Sequence, residues 1–235
     1  MTLSPQVARL RVQSPLVLVV VVLLSIVVAI ASYAASGATL GLFFGPILLA
    51  PIVLPPLALS VSNQRARFAV CIIYAGASAV IWFLAGHVEA AIVVRCIIVL
   101  LAFALALAYI PAALIRIRFH PVIAAATATI LGFAWLTWPV WLARALPAPG
   151  GERMLRWAGP ANPIFAVNGA LRAYFMDWDR FLFAYQQLTT LNQDVLYSLP
   201  RSIMPSAITH LLIALGCCML AVCSRTKMPA KAPQD

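Results

Sequence analysis

Long, uninterrupted apolar runs recur along this chain, and they constrain its fold more than any other feature. A helix needs about 20 apolar residues to cross the roughly 30 Å hydrocarbon core of a bilayer. Backbone groups in lipid must be satisfied internally, so only helices or a closed barrel can span it. The runs lack the period-two alternation of barrel strands. The sequence therefore predicts an all-α, polytopic membrane helix bundle.

Composition supports the bilayer as the solvent of this protein. The sequence is 64% hydrophobic and 9% charged, whereas a soluble domain is roughly half apolar and about a quarter charged. Too few polar side chains remain to cover a water-facing surface. The cysteines all fall inside or at the edges of the apolar runs without metal-binding spacing, which indicates a packing role.

Six membrane spans are predicted, at residues 15–35, 40–61, 68–86, 90–115, 121–142 and 206–224. They divide the chain into three regions. Residues 1–142 hold a short N-terminal segment and five spans, 143–205 form an external loop, and 206–235 hold the last span and a short tail. The first run exceeds the usual 7–15 residue core of a signal peptide, which favours an uncleaved span. Small residues near its end leave cleavage open.

Basic residues cluster beside every second connection, and this pattern predicts the orientation. The clusters are Arg9 and Arg11, Arg65 and Arg67, Arg116 and Arg118, and Arg225, Lys227 and Lys231. With six alternating spans, all four fall on one side, so the positive-inside rule places both termini in the cytoplasm of a cell-membrane protein. The net charge of +10 then indicates topology signals and contact with membrane lipid rather than nucleic-acid binding.

The long segment between the last two predicted spans contains its own helical signal. Prolines and glycines between Pro147 and Gly151 indicate a turn. Asn162 and Pro163 then have the residue types of a helix cap and first helical position. Apolar side chains at helical spacing follow, which predicts an amphipathic helix over 162–186 lying on the outer membrane surface or dipping into it. The alternative is a small cap packed on the external helix ends.

Prolines within predicted span two and an arginine in span four are the candidates for a translocation path. Span two holds Pro46, Pro51, Pro55 and Pro56. Because proline removes a helical hydrogen bond, the hypothesis is a bent helix lining a cavity, and the alternative is a static kink that helps packing. Arg95 is an intramembrane charge and hence a functional candidate, but it lies near enough to the span end for its side chain to reach the interface.

Other residues give little support for chemistry. Trp135, Trp138 and Trp141 close span five, where an aromatic belt or a stacking platform would explain them. His120 and His210 have no carboxylate or second histidine at helical spacing. No hydrolase, metalloprotease or nucleotide-binding motif is present. We therefore expect neither enzymatic activity nor a metal or cofactor.

The step Asn162-Pro163-Ile164, followed by Arg172, resembles a feature of ABC-2-type transporter permeases. In that family such a step lies in the external region before the last span. The six-span plan with both ends inside, and the long region between spans five and six, are similar as well. The connection between spans two and three is shorter here than in the family, and it lacks an acidic residue.

The resemblance implies a permease-like subunit of an export system, pairing with a second copy and powered by a separate ATPase. It implies that Arg65 and Arg67 contact that ATPase. The alternative for these arginines is that they only hold orientation against anionic lipid. The alternative for the whole protein is a non-transporting membrane or assembly subunit whose external segment is a binding surface.

Overall fold

The computed structural model describes residues 39–61, 63–85, 88–142, 150–171 and 199–223, together with Val27 and Leu146. Within these residues all regular structure is helical. The helices are α1 (Thr39–Ser60), α2 (Gln64–Ala85), α3 (Ala90–Arg116), α4 (Pro121–Trp141), α5 (Gly151–Ala161), α6 (Pro163–Leu171) and α7 (Met204–Cys223). The protein is an all-α membrane helix bundle.

Five of these helices, α1 to α4 and α7, are long and apolar enough to cross a membrane. They coincide with predicted spans two to six, and most of their ends agree within two residues. The exception is the start of α2, which begins at Gln64 rather than at residue 68. There Asn63 caps the helix, its Oδ1 accepting a hydrogen bond from the amide of Arg65 at 3.0 Å. Predicted span one, at 15–35, lies outside the described residues apart from Val27.

Helix α3 is the centre of the bundle and contacts α1, α2, α4, α6 and α7. Its middle section carries small and branched apolar residues and is buried nearly all round, as expected of a helix that is apolar on every face. Helices α2, α4 and α7 surround it and keep exposed apolar faces. In a bilayer such faces meet lipid or another membrane chain.

The bundle has two distinct ends. Asn63, Arg67, Arg116 and Arg118 lie together with the last turn of α7 at one end, which we call the basic end. The α2–α3 connection, the C-terminus of α4, α5 and the start of α7 lie at the other end, which we call the cap end. Helix α3 has 27 residues and hence separates the two ends by about 40 Å.

The cap end corrects one expectation and confirms another. Gly151, predicted as part of a turn, is the first residue of α5, and Gly150 before it adopts φ 98°. Helix α5 is the amphipathic one. It buries Leu155 and exposes Glu152 and Trp157. The helix after Asn162 forms as predicted, but its described part does not lie on a surface.

Helix α6 is buried on nearly every side, because its sequence is apolar almost throughout. It packs against α3, α1 and α7 and therefore dips between the spans. Its last turn is closed by a tight contact, since a Cβ at Gly169 would collide with the Pro200 carbonyl oxygen. The remainder of the predicted amphipathic segment, from residue 172, lies outside the described residues.

Candidate functional site

The first candidate proline, Pro46, lies inside a continuous helix. It cannot donate to the carbonyl of Leu42, four residues earlier. Instead the indole Nε1 of Trp82 in α2 donates to the Leu42 oxygen at 2.7 Å, and the Trp82 ring stacks on Phe43 with centroids 5.0 Å apart. Tyr74 also donates its hydroxyl to the Pro46 carbonyl. Trp82 thus satisfies the Leu42 carbonyl, which lipid would leave unpaired. The Pro46 carbonyl is not released, because residue 50 is alanine, so Tyr74 adds a further contact between α1 and α2.

The same arrangement recurs about two and a half turns further along α1. Pro55 releases the carbonyl of Pro51, and Thr129 in α4 donates its hydroxyl to that oxygen at 2.8 Å. The approach is close because α4 presents Gly132 here. A Cβ at Gly132 would lie 2.9 Å from the Pro51 Cβ and 2.8 Å from the Leu107 Cδ2. Carbonyls released by proline therefore act as acceptors between helices.

The candidate translocation-path prolines, Pro46, Pro51 and Pro55, are all buried at these contacts. The contacts favour the packing interpretation of the prolines. A role for them in a translocation path stays a prediction.

Arg95, the fourth path candidate, is exposed near the start of α3. This position agrees with a side chain that reaches the interface. It lines a cavity of about 360 Å³ at the cap end together with Arg201 and Ser202. Sequence spacing could not predict that these two arginines meet, because Arg95 lies in α3 and Arg201 lies in the connection before α7, remote in the chain.

Asn162 is fully buried and joins three helices. Its Oδ1 accepts a hydrogen bond from the amide of Ile164 at 2.8 Å, so it caps α6 as predicted, with Pro163 in the first helical position. Its Nδ2 donates to the carbonyl of Trp135 in α4 at 2.8 Å. That carbonyl has no helical partner, because residue 139 is proline. Arg172, the other residue of the family-like motif, lies outside the described residues.

Trp135 continues this network to the last span. Its Nε1 donates to His210 Nε2 at 3.1 Å, and His210 Nδ1 is 2.7 Å from the Ser206 carbonyl. Both contacts are satisfied by a neutral ring that carries its proton on Nδ1. His210 also meets the Phe103 ring edge-to-face. Sequence spacing could not predict this network, since its members come from α3, α4 and α7.

Of the three tryptophans predicted as a belt, only Trp141 is well exposed, whereas Trp138 is buried and Trp135 partly buried. The prediction is wrong for these two, because α5 and α6 cover the inner face of α4 at this end. Trp157 in α5, at 78% exposure, joins Trp141 at the rim. Cys71 and Cys96 are buried, and Cys217 and Cys218 are half-buried free thiols, in line with a packing role.

Arg65 and Arg67, the predicted ATPase contacts, both lie at the basic end but differ in their exposure and contacts. Arg65 is exposed. Arg67 is partly buried, and its Nε donates to the Ala58 carbonyl at 2.9 Å. A cation over the last carbonyls of α1 is favourable because the helix dipole is negative there. Arg67 therefore ties the end of α1 to α2, and Arg65 is the one available to a partner.

A cavity of about 720 Å³ opens at the basic end, and sequence reasoning did not predict it. Its polar lining comes from Asn63, Gln64, Arg67, Arg116 and Arg118. Its apolar lining comes from Ala112, Ile115, Ala221 and Val222. The charge pattern placed the arginines on one side of the membrane, but could not show that α2, α3 and α7 leave a space between them.

Within the described part of the chain, no three His, Cys, Asp or Glu side chains come together as metal ligands would. No family model, curated protein or solved structure matches this chain. The resemblance to ABC-2-type permeases therefore rests on the sequence features alone.

Proposed function

We propose that this protein is the permease-like membrane subunit of an ABC-type export system and works with a separate ATPase. The observation that supports this best is the helical pair α5–α6, which enters the bundle at the cap end just before the last span. Asn162 stands at the step between the two helices, buried and hydrogen-bonded to α4. An Asn-Pro step before the last span is the feature that resembles the permease family.

The close packing around α1 and α3 suggests where a substrate would pass. The buried interior of one copy leaves the exposed apolar faces of α2, α4 and α7 as the surfaces available for pairing. We propose that two copies associate through such faces and that export takes place along the interface between them.

Arg65 at the basic end is the proposed contact for the ATPase. Replacement of Arg65 alone is a sharper test than a double change, because Arg67 also holds the end of α1. Arg65→Gln should leave membrane insertion intact and lower the ATPase activity that copurifies with the tagged protein in mild detergent. Arg201→Gln, an exposed arginine at the cap end, is the matched control. If the wild-type protein carries no ATPase from its native membrane, the proposal fails.

The orientation belongs to the same proposal, with the basic end and both termini in the cytoplasm and the cap end outside the cell membrane. Asn63 and Glu152 are exposed at opposite ends of the bundle. Single cysteines at these positions, in a background without the native cysteines, should react with an impermeant maleimide from opposite sides. Labelling of both from one side would contradict the six-span topology.

A second candidate function is a non-transporting assembly subunit. The exposed side of α5, with Arg153, Arg156 and Trp157, supports it, because this side gives the cap end a charged and aromatic surface. Trp157→Ala would separate the two candidates. It should leave ATPase copurification unchanged for a permease, whereas an assembly subunit should lose its partner.

A further inference from the structure

The cavity at the basic end has a strongly positive lining. Arg67, Arg116 and Arg118 contribute three guanidinium groups, and among the described residues that line the cavity none is acidic. The acidic residues of the whole sequence are Glu89, Glu152, Asp177, Asp179, Asp194 and Asp235. Glu89 and Glu152, the two that the structure describes, lie at the cap end, and the other four lie outside the described residues. The described residues therefore supply no carboxylate to the lining of this cavity.

Arg116 shows that an acceptor is needed here. Its Nε is buried and has no hydrogen-bond acceptor among the described residues. A buried donor without an acceptor costs about 1–3 kcal/mol, and more when the group is charged. A guanidinium is also suited by its planar fork to bind two oxygens of one phosphate or carboxylate. Arg116 therefore points to a ligand that brings oxygen acceptors.

Arg118 is held over the cavity at a backbone cost. It has φ 74°, the left-handed conformation that glycine usually occupies at a helix end. The surrounding bonds are those of a Schellman motif. The amide of Arg118 donates to the Ile115 carbonyl at 3.0 Å, and that of Phe119 to Leu114 at 3.1 Å. A non-glycine residue here costs about 1–2 kcal/mol, so the structure retains a cation where glycine would fit better.

The rest of the lining indicates the kind of ligand. Ile115, Ala221 and Val222 form an apolar wall from the last turns of two spans, α3 and α7. Guanidinium groups at the mouth and an apolar wall at the level of the span ends match a lipid headgroup with the start of its acyl chains. Basic pockets between spans are known to hold anionic headgroups.

We propose that this cavity binds a phosphate group carried by an anionic phospholipid of the surrounding leaflet. The phosphate oxygens accept hydrogen bonds from Arg116 and Arg118, and the glycerol end of the acyl chains lies along Ile115 and Val222. This site does not depend on ATPase coupling. A soluble phosphate compound offers the same oxygens but no group for the apolar wall.

The test uses the purified full-length protein in dodecyl maltoside with added phosphatidylglycerol, and counts retained lipid by native mass spectrometry. Phosphatidylcholine with the same acyl chains is the neutral comparison. Arg116→Gln and Arg118→Gly should each lower the affinity for phosphatidylglycerol about tenfold, as expected for one lost charged hydrogen bond. Arg118→Gly relieves the backbone, so its effect cannot be attributed to misfolding.

Arg65→Gln is the matched control, because it removes the same charge at the same end outside the cavity lining. It should bind phosphatidylglycerol like the wild type. Displacement of the lipid by an equal concentration of glycerol 3-phosphate would support the phosphate site and assign it to a soluble ligand. Wild-type binding by both cavity variants, or an equal loss in Arg65→Gln, would overturn the proposal.

Discussion

Replacing Asn162 by alanine tests the step between α5 and α6 most directly. The change removes the cap on the Ile164 amide, which is worth about 1 kcal/mol. It also leaves the Trp135 carbonyl without a donor in a buried position, since Pro139 supplies none. An unpaired buried group costs about 1–3 kcal/mol. The two losses together predict a fall of about 3 kcal/mol in the free energy of unfolding.

Further variants separate the contribution of the cap from that of the hydrogen bond to α4. Asn162→Ser keeps an oxygen for the cap but does not reach α4, so it should recover about 1 kcal/mol. Pro139→Ala returns an amide to the Trp135 carbonyl. In that background Asn162→Ala should cost about 1 kcal/mol rather than about 3.

The assay is unfolding by sodium dodecyl sulfate in mixed micelles, followed by tryptophan fluorescence and circular dichroism. Asn168→Ala is the matched control. Asn168 lies in α6, the helix that Asn162 caps, and is also buried, but its Oδ1 has no donor among the described residues. Its replacement should be neutral or stabilising. A cost below about 0.5 kcal/mol for Asn162→Ala, or an equal cost for Asn168→Ala, would refute the reasoning.

Two further predictions concern contacts between α1, α3 and α4. Gly132→Ala should lower the free energy of unfolding by about 1–3 kcal/mol through overpacking against the Leu107 and Pro51 side chains, whereas Gly76→Ala, with nothing within 4 Å of the new methyl, should be neutral or stabilising in the same titration. Thr129→Val should cost about 1 kcal/mol because it leaves the Pro51 carbonyl unpaired, and Pro55→Ala should abolish that cost. An equal cost of Thr129→Val with proline and with alanine at position 55 would contradict the second prediction.

Hydropathy was sufficient to predict spans two to six because the bilayer imposes a length and a composition on each one. Helix α3 ends at Arg116 and α4 begins at Pro121. Both residues are recognisable boundary signals in the sequence. The cap on α6 was predictable for a similar reason, since Asn162-Pro163 is a local signal. These features depend on residues that are neighbours in the chain.

The interhelical contacts were not predictable in this way. Nothing local to Pro46 indicates that Trp82 pairs with the carbonyl it releases, and nothing local to Arg116 indicates an open cavity. Helix α5 was missed because it is short and polar, and because its first residue belongs to a proline and glycine cluster. The uniformly apolar sequence of α6 indicated that this helix is buried. The prediction of a helix with one apolar face overlooked that signal.

The released carbonyls of α1 also impose an order on the synthesis of this protein. Trp82 follows the Leu42 carbonyl by 40 residues, so α2 supplies the donor for the first released carbonyl soon after it emerges. Thr129 follows Pro51 by 78 residues. At 5–20 residues per second, the Pro51 carbonyl waits on the order of 4–16 s for its donor. During that time α1 is not a finished membrane helix. Another donor, from water, the insertion machinery or α2, would have to satisfy the Pro51 carbonyl until α4 arrives.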